Sequence, residues 1–134
     1  EPWIEGDAEM LKQVFFNLIL NALQSLDPEG GTIDFETICP HSGQDMETDE
    51  SYIEVKIRDS GIGIPREYLN RIFDPFFTTK EEESGLGLTI VHNIIEMHRG
   101  VIHVESVEQE GTVFHVLLPL ISEQGTMKTK VGWK

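Results

Sequence analysis

Between Asp7 and about Leu26 the apolar positions Leu11, Val14, Phe15, Leu18, Ala22 and Leu26 recur at helical spacing, which predicts a helix with one buried stripe. Asp7 is placed to cap it, and Pro28, Gly30 and Gly31 end it. Ile33 and Phe35 then alternate with Asp34 and Glu36 as in a half-buried strand, and the acidic run CPHSGQDMETDES reads as a solvated hairpin tip. A second strand, YIEVKIRD, leads into Gly61 and Gly63, after which Pro65 suits the first turn of a short helix through about Phe73. The stretch DPFFTTKEEESG shows no period. From Leu86 a helix carries Leu88, Val91, Ile94, Ile95 and His98 on one side and stops at Gly100. Two strands, VIHVESV and TVFHVLLPL, flank a turn at Glu110 and Gly111, and residues 122–134 read as a flexible tail. The order α, β, β, short α, loop, α, β, β predicts an α+β sandwich, a largely antiparallel sheet with helices on one face.

Composition narrows the setting. A chain of 134 residues with 39% hydrophobic content is the size of one domain and buries a core without staples. The lone Cys39 has no internal partner and no charged, apolar leader opens the sequence, so a cytoplasmic location is expected. VFFNLILNAL, the most apolar run, is ten residues long and contains two Asn, too short and too polar to cross a bilayer. The net charge of −14 speaks against a nucleic-acid surface, and a polyanionic ligand would need a cation or helix N-termini to be held.

Two patterns carry candidate chemistry. Gln13, Asn17, Asn21 and Gln24 form a stripe of amides along the first helix. An Asn carbonyl completes an Mg²⁺ shell without adding negative charge beside phosphates, and the alternative is a solvated, hydrogen-bonded face. On the second strand, alternation puts Asp59 on the same face as Ile53, Val55 and Ile57. A carboxylate at the end of an apolar row needs donors, and the adenine amino group is one. The alternative is a cap on the Asp-Ser-Gly turn.

Gly61 and Gly63 permit a flat base to approach the backbone, and Gly85 and Gly87 precede a helix whose N–H groups suit phosphate. Neither pair continues into a dinucleotide fingerprint, since Arg66 and Ile90 stand where the third glycine belongs, and there is no Walker A sequence. The segment FDPFFTTKEEES between the pairs has the character of a lid, with Lys80 its only cation.

In order, LKQVFFNLILNAL, DSGIGI, IFDPFFTTK and SGLGLTIV resemble the N, first G, F and second G boxes of the histidine kinase ATP-binding domain, within the GHKL superfamily. The likeness spans about residues 5–120, closes on GTVFHVLLP, and is nearest the nitrogen-regulation type of sensor kinase. It implies a two-layer sandwich in which a mixed, mostly antiparallel sheet of about five strands is covered on one face by three helices. The domain would run over 1–121, with 74–85 as an ATP lid.

The resemblance makes Asn21 the Mg²⁺ ligand, Asp59 the adenine-reading carboxylate, Gly61 and Gly63 the floor of the base pocket, and Thr112 a support to Asp59 through water. Asn17 and Gln24 on the first helix, Ile64 beside the glycines, and Phe73 and Phe76 in the F box join the ATP site. Lys80, Ser84, Gly85, Leu86, Gly87 and Leu88 would complete it on the lid side. Two positions depart from the family pattern: Gln24 stands where many relatives carry Lys or Arg, and Glu83 replaces the first glycine of the lid-end run.

Asn17 stands where ATP-hydrolysing relatives such as gyrase-type topoisomerases place a Glu to activate water, and an amide takes no proton. The resemblance therefore implies a protein histidine kinase domain that binds Mg-ATP and transfers its γ-phosphoryl group to a histidine on a separate, dimeric helical domain. A response regulator would act downstream, and the domain alone would be a monomer without direct membrane contact. A GHKL hydrolase and a non-enzymatic nucleotide-sensing module are the competing readings. His41, His92, His98, His103 and His115 are not in a phosphoacceptor context; His98, near a helix C-terminus, is expected to favour its cationic form.

Overall fold

The computed structural model describes residues 3–42, 51–78, 86–121 and 130–132. Asp7 starts the first helix, α1 (Ala8–Ser25), by accepting hydrogen bonds from the Glu9 and Met10 N–H groups. These satisfy two donors that a helix N-terminus otherwise leaves open. The buried stripe of α1 is Leu11, Val14, Leu18 and Ala22. A short strand, β1 (Trp3–Glu5), precedes it.

Beneath the helices lies an antiparallel sheet. β3 (Ser51–Asp59) pairs on one side with β2 (Ile33–Ser42) and on the other with β5 (Gly111–Ile121). β5 also pairs with β4 (Val101–Val107) and, at its far end, with β1. β1 in turn pairs with β6 (Lys130–Gly132). Register decides which side chains share a face: Ile53, Val55 and Ile57 stand opposite Leu118, Val116 and Phe114. That row is buried against Leu11, Val14 and Leu18 of α1 and against Val91, Ile94 and Ile95 of the second helix, α2 (Gly87–Met97). Fully burying each such side chain is worth about 1.5–3 kcal/mol. The last rung of the same ladder is Asp59 opposite Thr112, which carries the apolar row into a polar end.

The α+β class stands as expected, with differences in detail. The short helix predicted from Pro65 to Phe73 is a 3-10 turn at Arg66–Tyr68 followed by further turns, so among the described residues two α-helices cover the sheet where three were expected. The segment is too short to recover the cost of helix nucleation, and Ile72 is its one buried apolar anchor. The described sheet has six strands, every pair antiparallel, instead of a mixed sheet of about five. Two of the six, β1 and β6, were not read from the sequence pattern: they span three residues each, too few for alternation to show in sequence. β6 falls within the segment read as a tail. β2 extends through Cys39 to Ser42, and its register slips between Ile38 and His41, where Pro40 brings no N–H to the ladder.

The ends of α2 also differ from expectation. The left-handed residue after it is Arg99, at φ 58, and not Gly100. His98 Nδ1 lies 2.7 Å from the Ile94 carbonyl, while its Nε2 accepts from the Asp7 N–H at 3.0 Å. With Nε2 accepting, Nδ1 is the nitrogen placed to donate to the Ile94 carbonyl. His98 thereby ties the end of α2 to the cap of α1. Among the described residues, no helix is long and apolar enough to cross a membrane.

Candidate functional site

A cavity of about 280 Å³ opens between α1, the loop after β3, the turns at 68–78 and the first turn of α2. The amide stripe of α1 forms one wall, with Asn17, Asn21 and Gln24 all lining it. Asn17 Nδ2 donates to the Gly87 carbonyl at 3.4 Å, so the stripe meets the start of α2. Gly87 and Leu88 line the cavity there, and Leu86 at the N-cap makes no side-chain cap bond. Among the described residues, no N-cap side chain engages the opening N–H groups of α2, which point where an anion is favoured.

The opposite end is formed by the loop Ser60–Pro65, whose segment Ile62–Ile64 is held at three points. Ile62 N–H donates to Ser25 O at 3.0 Å, Gln109 N–H donates to Ile62 O at 2.6 Å, and Ile64 N–H donates to Ser106 Oγ at 2.7 Å. This wedging accounts for the glycines. A Cβ on Gly61 would collide with Ser25, and one on Gly63 would collide with the Val107 carbonyl, while Gly63 also sits at φ 73. Gly63 and Ile64 line the cavity, whereas Gly61 faces Ser25.

Asp59 is 3% exposed, and its Oδ1 accepts from Gly61 N–H at 2.8 Å. The turn-capping alternative is thus realised by one carboxylate oxygen, and Asp59 is not itself among the lining residues. Thr112, across the ladder, does line the cavity at 4% exposure.

The F-box aromatics divide differently from expectation. Phe73 packs on the core with its ring 5.3 Å from that of His92, and its carbonyl accepts from Thr89 Oγ1 at 2.9 Å. Phe76 is 73% exposed with φ 66. The F-box aromatic in the cavity wall is Phe77, its ring 5.5 Å from Tyr68 and 4.8 Å from the Arg71 guanidinium carbon. Three phenylalanines within five aperiodic residues cannot be ranked by spacing. Leu20, Ile62, Tyr68 and Ile72 also line the cavity and were not anticipated, although Leu20 stands one helical turn from Asn17. Lys80, Ser84 and Gly85 lie outside the described residues.

Among the described residues, no three His, Cys, Asp or Glu side chains gather to hold a metal. The described cavity wall offers a cation the amide oxygens of Asn17, Asn21 and Gln24. The histidines do other work. His92 lies 3.6 Å from Glu96, and His115 Nδ1 lies 2.7 Å from Oε1 of the buried Glu54.

Comparison with known proteins agrees with this geometry. Residues 6–122 match the model of the family described as histidine kinase-, DNA gyrase B- and HSP90-like ATPase. Sporulation kinase A of Bacillus subtilis is 48% identical over 117 residues, covering 87% of this chain and 18% of that protein. The sensor histidine kinase ZraS of Salmonella typhimurium is 43% identical over 121 residues, covering 90% of this chain and 24% of the relative. The chain thus spans about a fifth to a quarter of the length of these curated relatives. Among solved structures, the mycobacterial sensor histidine kinase MprB superposes with a TM-score of 0.72 at 29% identity, covering 88% of this chain and 76% of that one. The nucleotide-free catalytic domain of histidine kinase ThkA gives 0.70 at 37%, covering 87% and 70%.

Proposed function

The chain belongs to the histidine kinase-, DNA gyrase B- and HSP90-like ATPase family, and from that premise we propose that it is the ATP-binding catalytic domain of a sensor histidine kinase. It binds Mg-ATP in the cavity beside α1 and transfers the γ-phosphoryl group to a histidine on a separate helical domain, ahead of a response regulator. The catalytic unit is residues 1–121, with 74–85 as the lid, in a cytoplasmic location.

The observation that carries this reading is Asn17. It lines the cavity, and its amide is engaged with Gly87 O, so the position that would hold a water-activating carboxylate in a hydrolase holds a group unable to accept a proton. The remaining chemistry is positioning, which dominates phosphoryl transfer in general. Asp59 keeps Oδ1 on the Gly61 N–H and offers its other oxygen to the adenine amino group. Asn21 would hold the metal through its side-chain carbonyl, and a bound Mg²⁺ would supply neutralisation of phosphate charge. The first turn of α2 supplies N–H groups to phosphate, joined by Gln24 and by Lys80, Ser84 and Gly85 of the lid.

Two measurements test this: the affinity for ATP with and without Mg²⁺ by calorimetry, and steady-state phosphate release. Mg²⁺-dependent binding with negligible release is expected. Sustained release would instead favour a hydrolase.

A further inference from the structure

Ser106 lies on β4 and outside the cavity lining, yet it makes three contacts that all bear on the cavity floor. Its Oγ accepts from Ile64 N–H at 2.7 Å, donates to Gly111 O at 3.0 Å, and lies 2.8 Å from Thr112 Oγ1. A serine hydroxyl has one proton and two acceptor lone pairs. The proton goes to the Gly111 carbonyl, which cannot donate, and one lone pair goes to the Ile64 N–H, which cannot accept. The second lone pair faces Thr112, and two oxygens 2.8 Å apart repel unless one donates to the other. With the Ser106 proton on the Gly111 carbonyl, Thr112 is that donor. Its single proton is committed inside the protein, and only lone pairs remain on Thr112 Oγ1 for the cavity.

We propose that Ser106 is a positioning residue for base selection: by drawing the Thr112 proton inward, it leaves Thr112, which lines the cavity beside the buried Asp59, presenting acceptors only. Such a surface receives the exocyclic amino group of a 6-aminopurine and repels the carbonyl of a 6-oxopurine. A water bridging Asp59 and Thr112 would be read in the same sense, because it must donate both protons to the protein and present a lone pair to the base. Without Ser106, the Thr112 hydroxyl rotates freely and is able to donate to a 6-oxo group. The proposal rests on the cavity being a nucleotide site. Ser106 touches no ligand in this scheme; it acts through Thr112.

The test is calorimetric affinity for ATP and for inosine triphosphate, with Mg²⁺, in the wild-type chain, Ser106→Ala, Ser106→Thr, Thr112→Val and the Ser106→Ala/Thr112→Val double variant, with thermal melts to register folding. Wild type should prefer ATP, and Ser106→Ala should narrow that preference by on the order of tenfold, the worth of redirecting one hydrogen bond. Ser106→Thr, which keeps the oxygen, should restore it. In the Thr112→Val background, adding Ser106→Ala should leave the preference unchanged. Equal weakening of both nucleotides by Ser106→Ala would show a loop brace and overturn the proposal, leaving the nucleotide reading intact. If Ser106→Ala fails to fold, Thr112→Val decides alone: a narrowed preference supports the acceptor assignment, and an unchanged or widened one overturns it. A wild-type chain that binds neither nucleotide overturns this proposal together with the reading beneath it.

Discussion

Asn17 on α1 donates to the carbonyl of Gly87 at the start of α2, 70 residues along the chain, so the amide stripe and the helix N-terminus are held as one surface. At 3.4 Å and partly in water, this bond contributes little to stability. Asn17→Ala should therefore shift the thermal midpoint by less than about 4 °C, the equivalent of roughly 1 kcal/mol in a domain of this size. Phosphotransfer should fall at least about tenfold, because the substrate is no longer positioned. Paired melts and transfer assays check this, and a large melt shift with normal transfer would contradict it.

Asp59 has two duties that separate by substitution. Asp59→Asn retains a carbonyl able to accept from Gly61 N–H but turns an amide NH₂ toward a base that also donates there. ATP affinity should drop by about 10² or more with the fold retained. Asp59→Ala should lose affinity and stability together. Calorimetry and urea denaturation on both variants read the difference, and unchanged affinity in Asp59→Asn would remove the adenine assignment.

Gly63 is at positive φ with the Val107 carbonyl where a Cβ would go. Gly63→Ala should cost about 1–3 kcal/mol in urea denaturation. Because the displaced loop also forms the cavity wall, ATP affinity should fall as well. A neutral effect on stability would show that the loop is not wedged.

His98 offers a contrasting case, since it braces the fold away from the cavity. His98→Ala breaks the bond from the Asp7 N–H and the bond to Ile94 O. A loss of about 1–3 kcal/mol is expected, with ATP affinity unchanged when measured well below the melt. Altered affinity in the folded variant would mean that the α1–α2 junction is coupled to the site.

Much of the fold was legible because its two main helices and long strands each carry a clean period. Asp7 as a cap, the stripe of α1 and the inward row of β3 all follow from spacing alone. The failures have physical causes. Pro65 signals a helix start, but the sequence does not say that the following residues lack enough buried contacts to sustain one. The glycines of the 60–65 loop were legible as necessary, while the reason, contact with Ser25 and Val107, depends on which segments meet in space. Phe77 could not be told from Phe73 and Phe76 without the turn geometry that points one ring inward. His115, on a strand legible from its period, lies beside the buried carboxylate of Glu54 through cross-strand packing, which no local pattern reveals. The long-range bonds of Asn17 and Ser106 belong to the same class.

The central claim, that the chain holds ATP ready for a histidine it does not itself present, is tested most directly by phosphotransfer in trans. The chain is incubated with Mg²⁺ and γ-labelled ATP, first alone and then with a helical domain that carries the acceptor histidine. Label is expected on the added domain only, in the acid-labile form of a phosphohistidine, and none on this chain. Label on this chain in the absence of the partner, or none on the partner when ATP binding is intact, would contradict it.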